Sequence, residues 1–243
     1  MRYKVTLAYN GNNYVGFQSQ INGPSIQDNI EQALKKIFKQ DIRIIMASRT
    51  DAGVHAYGQV FHFDVDKEMD PYKLRGAINA LTNKDIHVLD VKKVSNKFHA
   101  RFNVKNKTYK YLINIGEYDV FLDGFAYQCF YKLDIDLMKK GAELFLGTHD
   151  FSSFNTTPYE IKKDQVRTIT EFKITRKKDL LTITVTGDGF LKNMVRIMVG
   201  SLIDLGRGQK SLEEIKDMLE HPNKKTRRYN ITGSGLYLVK IRY

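Results

Sequence analysis

Residues 46–63 read MASRTDAGVHAYGQVFHF, a polar knot between two apolar runs. Residues 42–46 lead in and residues 60–64 lead out, and both predict strands. On the outgoing run Val60, His62 and Asp64 alternate with Phe61, Phe63 and Val65. The knot between them, Ser48-Arg49-Thr50-Asp51-Ala52-Gly53, reads in two ways. It is turn chemistry, with Asp51 capping its own backbone and Gly53 supplying a positive φ. It is also a candidate site, because Arg49 and His55 flank the carboxylate. An arginine keeps a neighbouring carboxyl ionised at neutral pH. An ionised carboxylate on a loop held by rigid strands suits a nucleophile or a base.

Outward from this stretch the elements alternate. Residues 3–9 predict a strand, 10–13 a turn, and 14–20 a loop with two aromatics and two glutamines. Residues 25–38 predict a helix capped by Ser25, with Ile26, Ile30, Ala33, Leu34, Ile37 and Phe38 on one face. A helix over 71–81 opens on Pro71, and a strand follows over 85–94. The order is β-α-β-β-α-β, the ferredoxin-like pattern. It recurs in outline. Strands over 108–115 and 125–131 precede a helix over 134–146, with Asp134 at its cap and Gly147 beyond. A hairpin over 166–176 and 180–186, helices over 190–205 and 211–220, and a strand over 236–241 complete the chain. The predicted fold class is therefore α+β: two ferredoxin-like halves, 1–104 and 105–243, joined around a central antiparallel or mixed sheet. The repeat is one of element order, not of residues.

Composition bounds the function. With 42% hydrophobic and 27% charged residues the chain is an ordinary globular protein. No apolar run reaches the roughly 18 residues of a membrane span, and the start reads as a strand, not a signal peptide. The lone Cys129 excludes intrachain disulfides and thiolate clusters. The expectation is a cytoplasmic protein with no membrane partner. Net charge is +12, which favours a polyanionic partner. Residues 92–110 carry seven Lys/Arg and no acid, with Phe98, Phe102 and Tyr109 between the charges. Cations for phosphates and aromatics for bases make an RNA-contact pattern; a solvated basic face is the plainer reading. His55 and His62 lie seven apart without a metal-ligand spacing. No dinucleotide fingerprint, Walker loop or serine nucleophile elbow occurs. The expectation is a reaction without metal or cofactor.

Arg49-Thr50-Asp51-Ala52-Gly53-Val54-His55-Ala56, followed by GQVFHF at 58–63, resembles the signature of the tRNA pseudouridine synthase A family. Further segments resemble that family in order along the chain. Lys107-Thr108-Tyr109-Lys110-Tyr111 is similar to K/R-T-Y-R-Y, and DGFLKNMVR at 188–196 to G-x-F-L-x-x-M-V-R. FHARF at 98–102, FLGTHDFSSF at 145–154 and GSGLYL at 233–238 match as well. The resemblance implies two related α+β halves with a basic cleft between them. It implies isomerisation of uridine to pseudouridine in tRNA, at positions 38, 39 and 40 of the anticodon stem-loop. Asp51 would attack the ribose or assist loss of the base, Tyr109 would stack on the target base and relay a proton, and Arg196 would pair with Asp51. Arg49, His55, Arg101, Lys192 and Asn193 are the candidates for substrate contact. The family also implies a homodimer.

On the residues alone Tyr109 reads first as strand core, and Lys192 and Arg196 as the polar stripe of an amphipathic helix. Tyr111 reads as structural. A basic loop, Lys224, Lys225, Arg227 and Arg228, suits phosphates or plain solvent. Two rivals stay open: a paralogue acting on other RNA such as ribosomal RNA, and a non-catalytic RNA-binding protein. The chain departs from the family pattern at five places, one of them Gly233, where a small Ala is frequent. Asn10 stands for Asp, Phe17 for Trp, Thr82-Asn83 where Pro is frequent, and Ser48 for Gly. Ser48 raises the expectation of a positive φ or a close approach at that point.

Overall fold

The computed structural model describes residues 1–157, 164–223, 225 and 228–243. In chain order the first elements are β1 (Arg2–Tyr9), α1 (Ile26–Phe38), β2 (Ile45–Met46), β3 (His55–Asp64), α2 (Pro71–Leu81) and β4 (Ile86–Val94). They are followed by β5 (Asn106–Asn114), β6 (Tyr127–Gln128), α3 (Ile135–Glu143), β7 (Gly147–Asp150), β8 (Val166–Lys177), β9 (Leu180–Gly187), α4 (Met194–Gly206), α5 (Leu212–Glu220) and β10 (Leu236–Arg242). The fold is mixed α+β. Two units result, Met1–Lys105 with Tyr237–Tyr243, and Asn106–Leu236. No helix among the described residues is long and apolar enough to cross a membrane.

In the first unit β1 pairs antiparallel with both β3 and β4. Tyr3, Val5, Leu7 and Tyr9 of β1 are buried and their neighbours are half-exposed, the period of a strand with one core face. β3 begins at His55, five residues before the alternation in the sequence, and residues 59–63 are all buried. The missed start, His55-Ala56-Tyr57-Gly58, carries no apolar alternation, so the sequence pattern does not reach it. β2 pairs with the later part of β3 and β10 runs parallel to its start, with Tyr237 opposite His55 and Leu238 opposite Ala56. The last strand, counted with the second half on sequence, therefore packs with the first.

The helices follow their caps. Asp28 donates its N–H to Ser25 Oγ at 3.0 Å, and the Asp70 carboxylate accepts from Lys73 N–H ahead of Pro71. Two departures from the family pattern find their reasons here. Thr82 N–H and Oγ1 both donate to the Ile78 carbonyl at 3.0 Å, and Asn83 donates its N–H to Asn29 Oδ1. A proline at either position would lack that N–H. Asn10 Oδ1 accepts from Asn12 N–H, a turn bond that Asp would make equally.

In the second unit the sheet order is β5-β9-β8-β7, with β6 parallel beside β5. This unit departs from a simple β-α-β-β-α-β copy. The strand expected over 125–131 shrinks to Tyr127–Gln128. α3 stops at Glu143, and Gly147–Asp150, read as a helix stop, forms β7 against β8. α5 carries the expected capping box, with Ser211 and Glu214 bonding reciprocally. α4 is buried nearly all round, and Gly200 lets it approach the chain closely: a Cβ there would sit 1.9 Å from the Tyr229 carbonyl oxygen. Lys224 and Arg227 of the basic loop lie outside the described residues.

Candidate active site

The Asp51 loop is a strapped structure, not a free turn. Gly16 and Asp51 face each other in an isolated antiparallel bridge. Phe17 N–H donates to the Thr50 carbonyl at 3.1 Å and Gly53 N–H to the Tyr14 carbonyl at 3.4 Å. Gly16 has φ +125, and a Cβ on it would lie 2.7 Å from the Thr50 oxygen. Only glycine permits this approach. Gly53 has φ +73, as its turn role requires. Beneath the loop, Tyr9 OH and Thr50 Oγ1 bond at 2.7 Å, and the fully buried Gln59 donates to the Ser48 carbonyl at 2.8 Å. Ser48 is buried and is not among the positive-φ residues, so the expected left-handed conformation is absent there. Its backbone carbonyl, which any residue supplies, is the acceptor for Gln59.

Asp51 is half-buried on this loop and Arg49 is exposed beside it. His55 is only 2% exposed. Its Nδ1 accepts from Gly11 N–H at 3.1 Å, and its ring stacks on Tyr237 with centroids 4.6 Å apart. That geometry ties His55 into the base of the loop. The 14–20 segment, read on sequence as a loop with two aromatics, buries both of them, Tyr14 and Phe17. Tyr14 OH donates to Asp85 at 2.6 Å, and burial together with that carboxylate pushes its hydroxyl up to about 12.

Arg101 belongs to a different feature of the first unit, the 98–102 turn. Ala100 N–H donates to Nδ1 of the buried His62, and Arg101 and Phe102 N–H both reach His99 Nδ1 at 3.2 Å. Burial, with Arg2 and His99 nearby, pushes the His62 ring down to about 4. It is therefore neutral at pH 7 and can accept at Nδ1.

In the second unit Tyr109 lies on β5 opposite Val185, only 5% exposed, with Phe190 edge-on at 5.1 Å. Tyr111, its neighbour on the same face, is fully buried and donates to the Thr232 carbonyl at 2.8 Å; burial pushes its hydroxyl far up. The expected helix over 190–205 starts later, at Met194. Asn193 precedes it with φ 60, in the left-handed region, which blocks helical continuation backwards. Lys192 thus stands in the turn before α4 and not one helical turn from Arg196; its side chain is exposed, and its carbonyl accepts from Thr156 N–H. Asn193 and Arg196 do come together. Asn193 Oδ1 accepts from Arg196 Nη1 at 2.7 Å, Asn193 Nδ2 donates to Thr156 Oγ1, and Arg196 Nε donates to the Ile231 carbonyl at 2.6 Å.

Sequence reasoning missed Gly16, Gln59 and Thr156. Each acts through a partner distant in sequence, and nothing local marks it. Among the described residues no group of three His, Cys, Asp or Glu side chains is placed to hold a metal ion.

The sequence model of a family described as tRNA pseudouridine synthase matches residues 6–103 and 142–243. The first segment holds Arg49, Asp51, His55 and Arg101, the second Lys192, Asn193 and Arg196; Tyr109 falls between them. A protein of Anoxybacillus flavithermus named tRNA pseudouridine synthase A is 41% identical over all of this chain and 98% of its own length. One of an Exiguobacterium species with the same name is 40% identical, over 100% and 98%. A Bacillus cereus protein named tRNA pseudouridine synthase A 1 is 38% identical, also over 100% and 98%. Matches of this length and coverage, spanning both the Asp51 loop and the start of α4, establish that the chain belongs to the tRNA pseudouridine synthase family.

Proposed function

We propose that this chain isomerises uridine to pseudouridine in the anticodon stem-loop of tRNA, at positions 38 to 40, with Asp51 as the nucleophile and no cofactor. The observation that carries the reading is the Asp51 loop itself: a family signature held rigid by the Gly16 bridge and the Gln59 bond, with its carboxylate residue half-buried. Rigid placement of a reacting group is what a catalytic nucleophile requires.

In this reading Asp51 attacks C1′ of the target nucleotide or assists departure of the base. The N1–C1′ bond breaks and its electron pair leaves with the uracil. The base turns, and C5 bonds to C1′ as the carboxylate is displaced. C5 then loses its proton and N1 gains one, so atoms and charge balance without a redox partner. Tyr109 stacks on the base and relays the C5 proton. Arg196 is the counter-charge that keeps Asp51 ionised. Arg49, Arg101 and Lys192, all exposed, contact phosphates. His55 and Asn193 act by holding Asp51 and Arg196. A base within a stem must flip out, at a cost of a few kcal/mol that stacking and cationic contacts offset. The protein acts in the cytoplasm as a homodimer.

Tritium release from tRNA carrying 5-tritiated uridine, with mapping of pseudouridine in tRNA and ribosomal RNA, tests this. Release with new pseudouridine at 38–40 is expected. No release by the wild type leaves the RNA-binding reading, and pseudouridine confined to ribosomal RNA leaves the paralogue.

A further inference from the structure

The basic segment 92–110 offers three aromatics to RNA by sequence, and the structure separates them. Tyr109 is buried on β5. Phe98 is half-buried, with Tyr243 5.0 Å from its ring and the Lys4 ammonium 5.4 Å above it. Phe102 is different: it is 75% exposed, yet its ring is not loose. It stacks on His99 with centroids 4.2 Å apart and planes within 25°. What sets this ring apart from the other exposed apolar side chains is its stacked support beside the Arg101 guanidinium.

The support is rigid down to the sheet. His99 Nδ1 accepts from both Arg101 and Phe102 N–H, and His99 N–H donates to Asn103 Oδ1 at 2.6 Å. Ala100 is held on both sides, its N–H by His62 and its carbonyl by the Tyr243 hydroxyl at 2.8 Å. Arg2 Nη1 donates to the Asn96 and Phe98 carbonyls at 2.7 Å each. Exposed cations lie along the same segment. Lys97, Arg101 and Lys105 are exposed, and no carboxylate lies within 4 Å of them among the described residues. The Arg101 guanidinium sits 5.9 Å from the Phe102 centroid.

We infer that Phe102, stacked on His99 and flanked by Arg101, is a platform on which an unpaired base of the RNA substrate stacks. Every base has a π-face, so the contact would be tolerant of sequence, and the cations would hold the flanking phosphates. A pre-ordered ring loses little entropy on binding. The inference rests on the reading of this chain as a tRNA-modifying enzyme, and it adds a contact outside the Asp51 loop.

The chain has no tryptophan, which makes the test direct. Phe102→Trp installs the only indole, and an unmodified tRNA transcript should quench its emission by more than half through stacking. Tyr72→Trp, at an exposed position on α2, is the control and should stay bright. Phe102→Ala should weaken the tRNA Kd about tenfold, with the salt dependence unchanged because no charge is lost. Arg101→Ala should lower the salt slope instead. Tritium release by the wild type is measured alongside. If it is normal while Phe102→Ala binds within twofold of wild type, or both tryptophans are quenched equally, the platform is wrong and the enzyme reading stands. If the wild type neither binds nor turns over tRNA, both fail.

Discussion

Arg196 donates through Nη1 to Asn193 Oδ1 at 2.7 Å, and Asn193 holds that acceptor from a left-handed backbone position, φ 60, at the mouth of α4. A residue that breaks the helix thus also fixes the guanidinium. The two roles separate by mutation. Asn193→Gly keeps the backbone and loses the acceptor; Asn193→Ala loses both. Both should reduce turnover about tenfold, as expected for a misplaced charged group. Only Asn193→Ala should also lose about 1 kcal/mol of stability in urea unfolding. Unchanged turnover in Asn193→Gly would mean that Arg196 needs no such support.

The Gly16 bridge makes a stronger demand. Its φ of +125 and the 2.7 Å approach to the Thr50 oxygen leave no room for a methyl group. Gly16→Ala should destabilise by roughly 1–3 kcal/mol and displace the Asp51 loop, with turnover falling by more than the lost stability explains. Gly208→Ala is the comparison. It shares a positive φ, +70, but nothing lies within 4 Å of its Cβ. It should lose about 1 kcal/mol and keep its activity.

His62 gives the fold a pH dependence. Its folded-state ring is pushed down to about 4, chiefly by burial and then by Arg2 and His99, from the ordinary imidazole value of 6.5. Between these values the unfolded chain binds a proton that the folded chain refuses, so stability falls as pH falls from 6.5 toward 4 and levels off below. The loss attributable to this residue is about 2 kcal/mol after allowance for solvent screening. Unfolding midpoints from pH 7 to pH 4 should show a shallower fall in His62→Gln than in wild type. Parallel curves would assign the acid sensitivity elsewhere.

The α+β class was legible because the strands with one wet face keep a strict period, as β1 and β9 do. It blurred where the period is missing: His55-Ala56-Tyr57-Gly58 at the start of β3 shows no alternation, and α4 is apolar almost all round. β7 was hidden because four residues after a helix look like its stop. The alliance of β10 with β3 is a long-range pairing of two residues that no local pattern records. Within the candidate site, Asp51 and Arg196 were named by motif. Asn193, also in the Arg196 motif, holds Arg196 from three residues away, whereas Gly16, Gln59 and Thr156 act through partners 11 to 37 residues distant that no local pattern records. Ser48 marks the opposite case: glycine in the family pattern suggested a positive φ there, whereas Ser48 lies outside the left-handed region and its carbonyl accepts from Gln59.

Binding and chemistry at Asp51 separate in a single experiment. Wild type and Asp51→Ala are each mixed in excess with 5-tritiated tRNA, and binding and tritium release are followed in the same reaction. The account predicts full tRNA binding by Asp51→Ala, with a Kd within about threefold of wild type, since the loop is held by backbone bonds at Gly16, Thr50 and Gly53. It predicts no tritium release above background. Release by Asp51→Ala at even a hundredth of the wild-type rate, with pseudouridine found in the product, would contradict it.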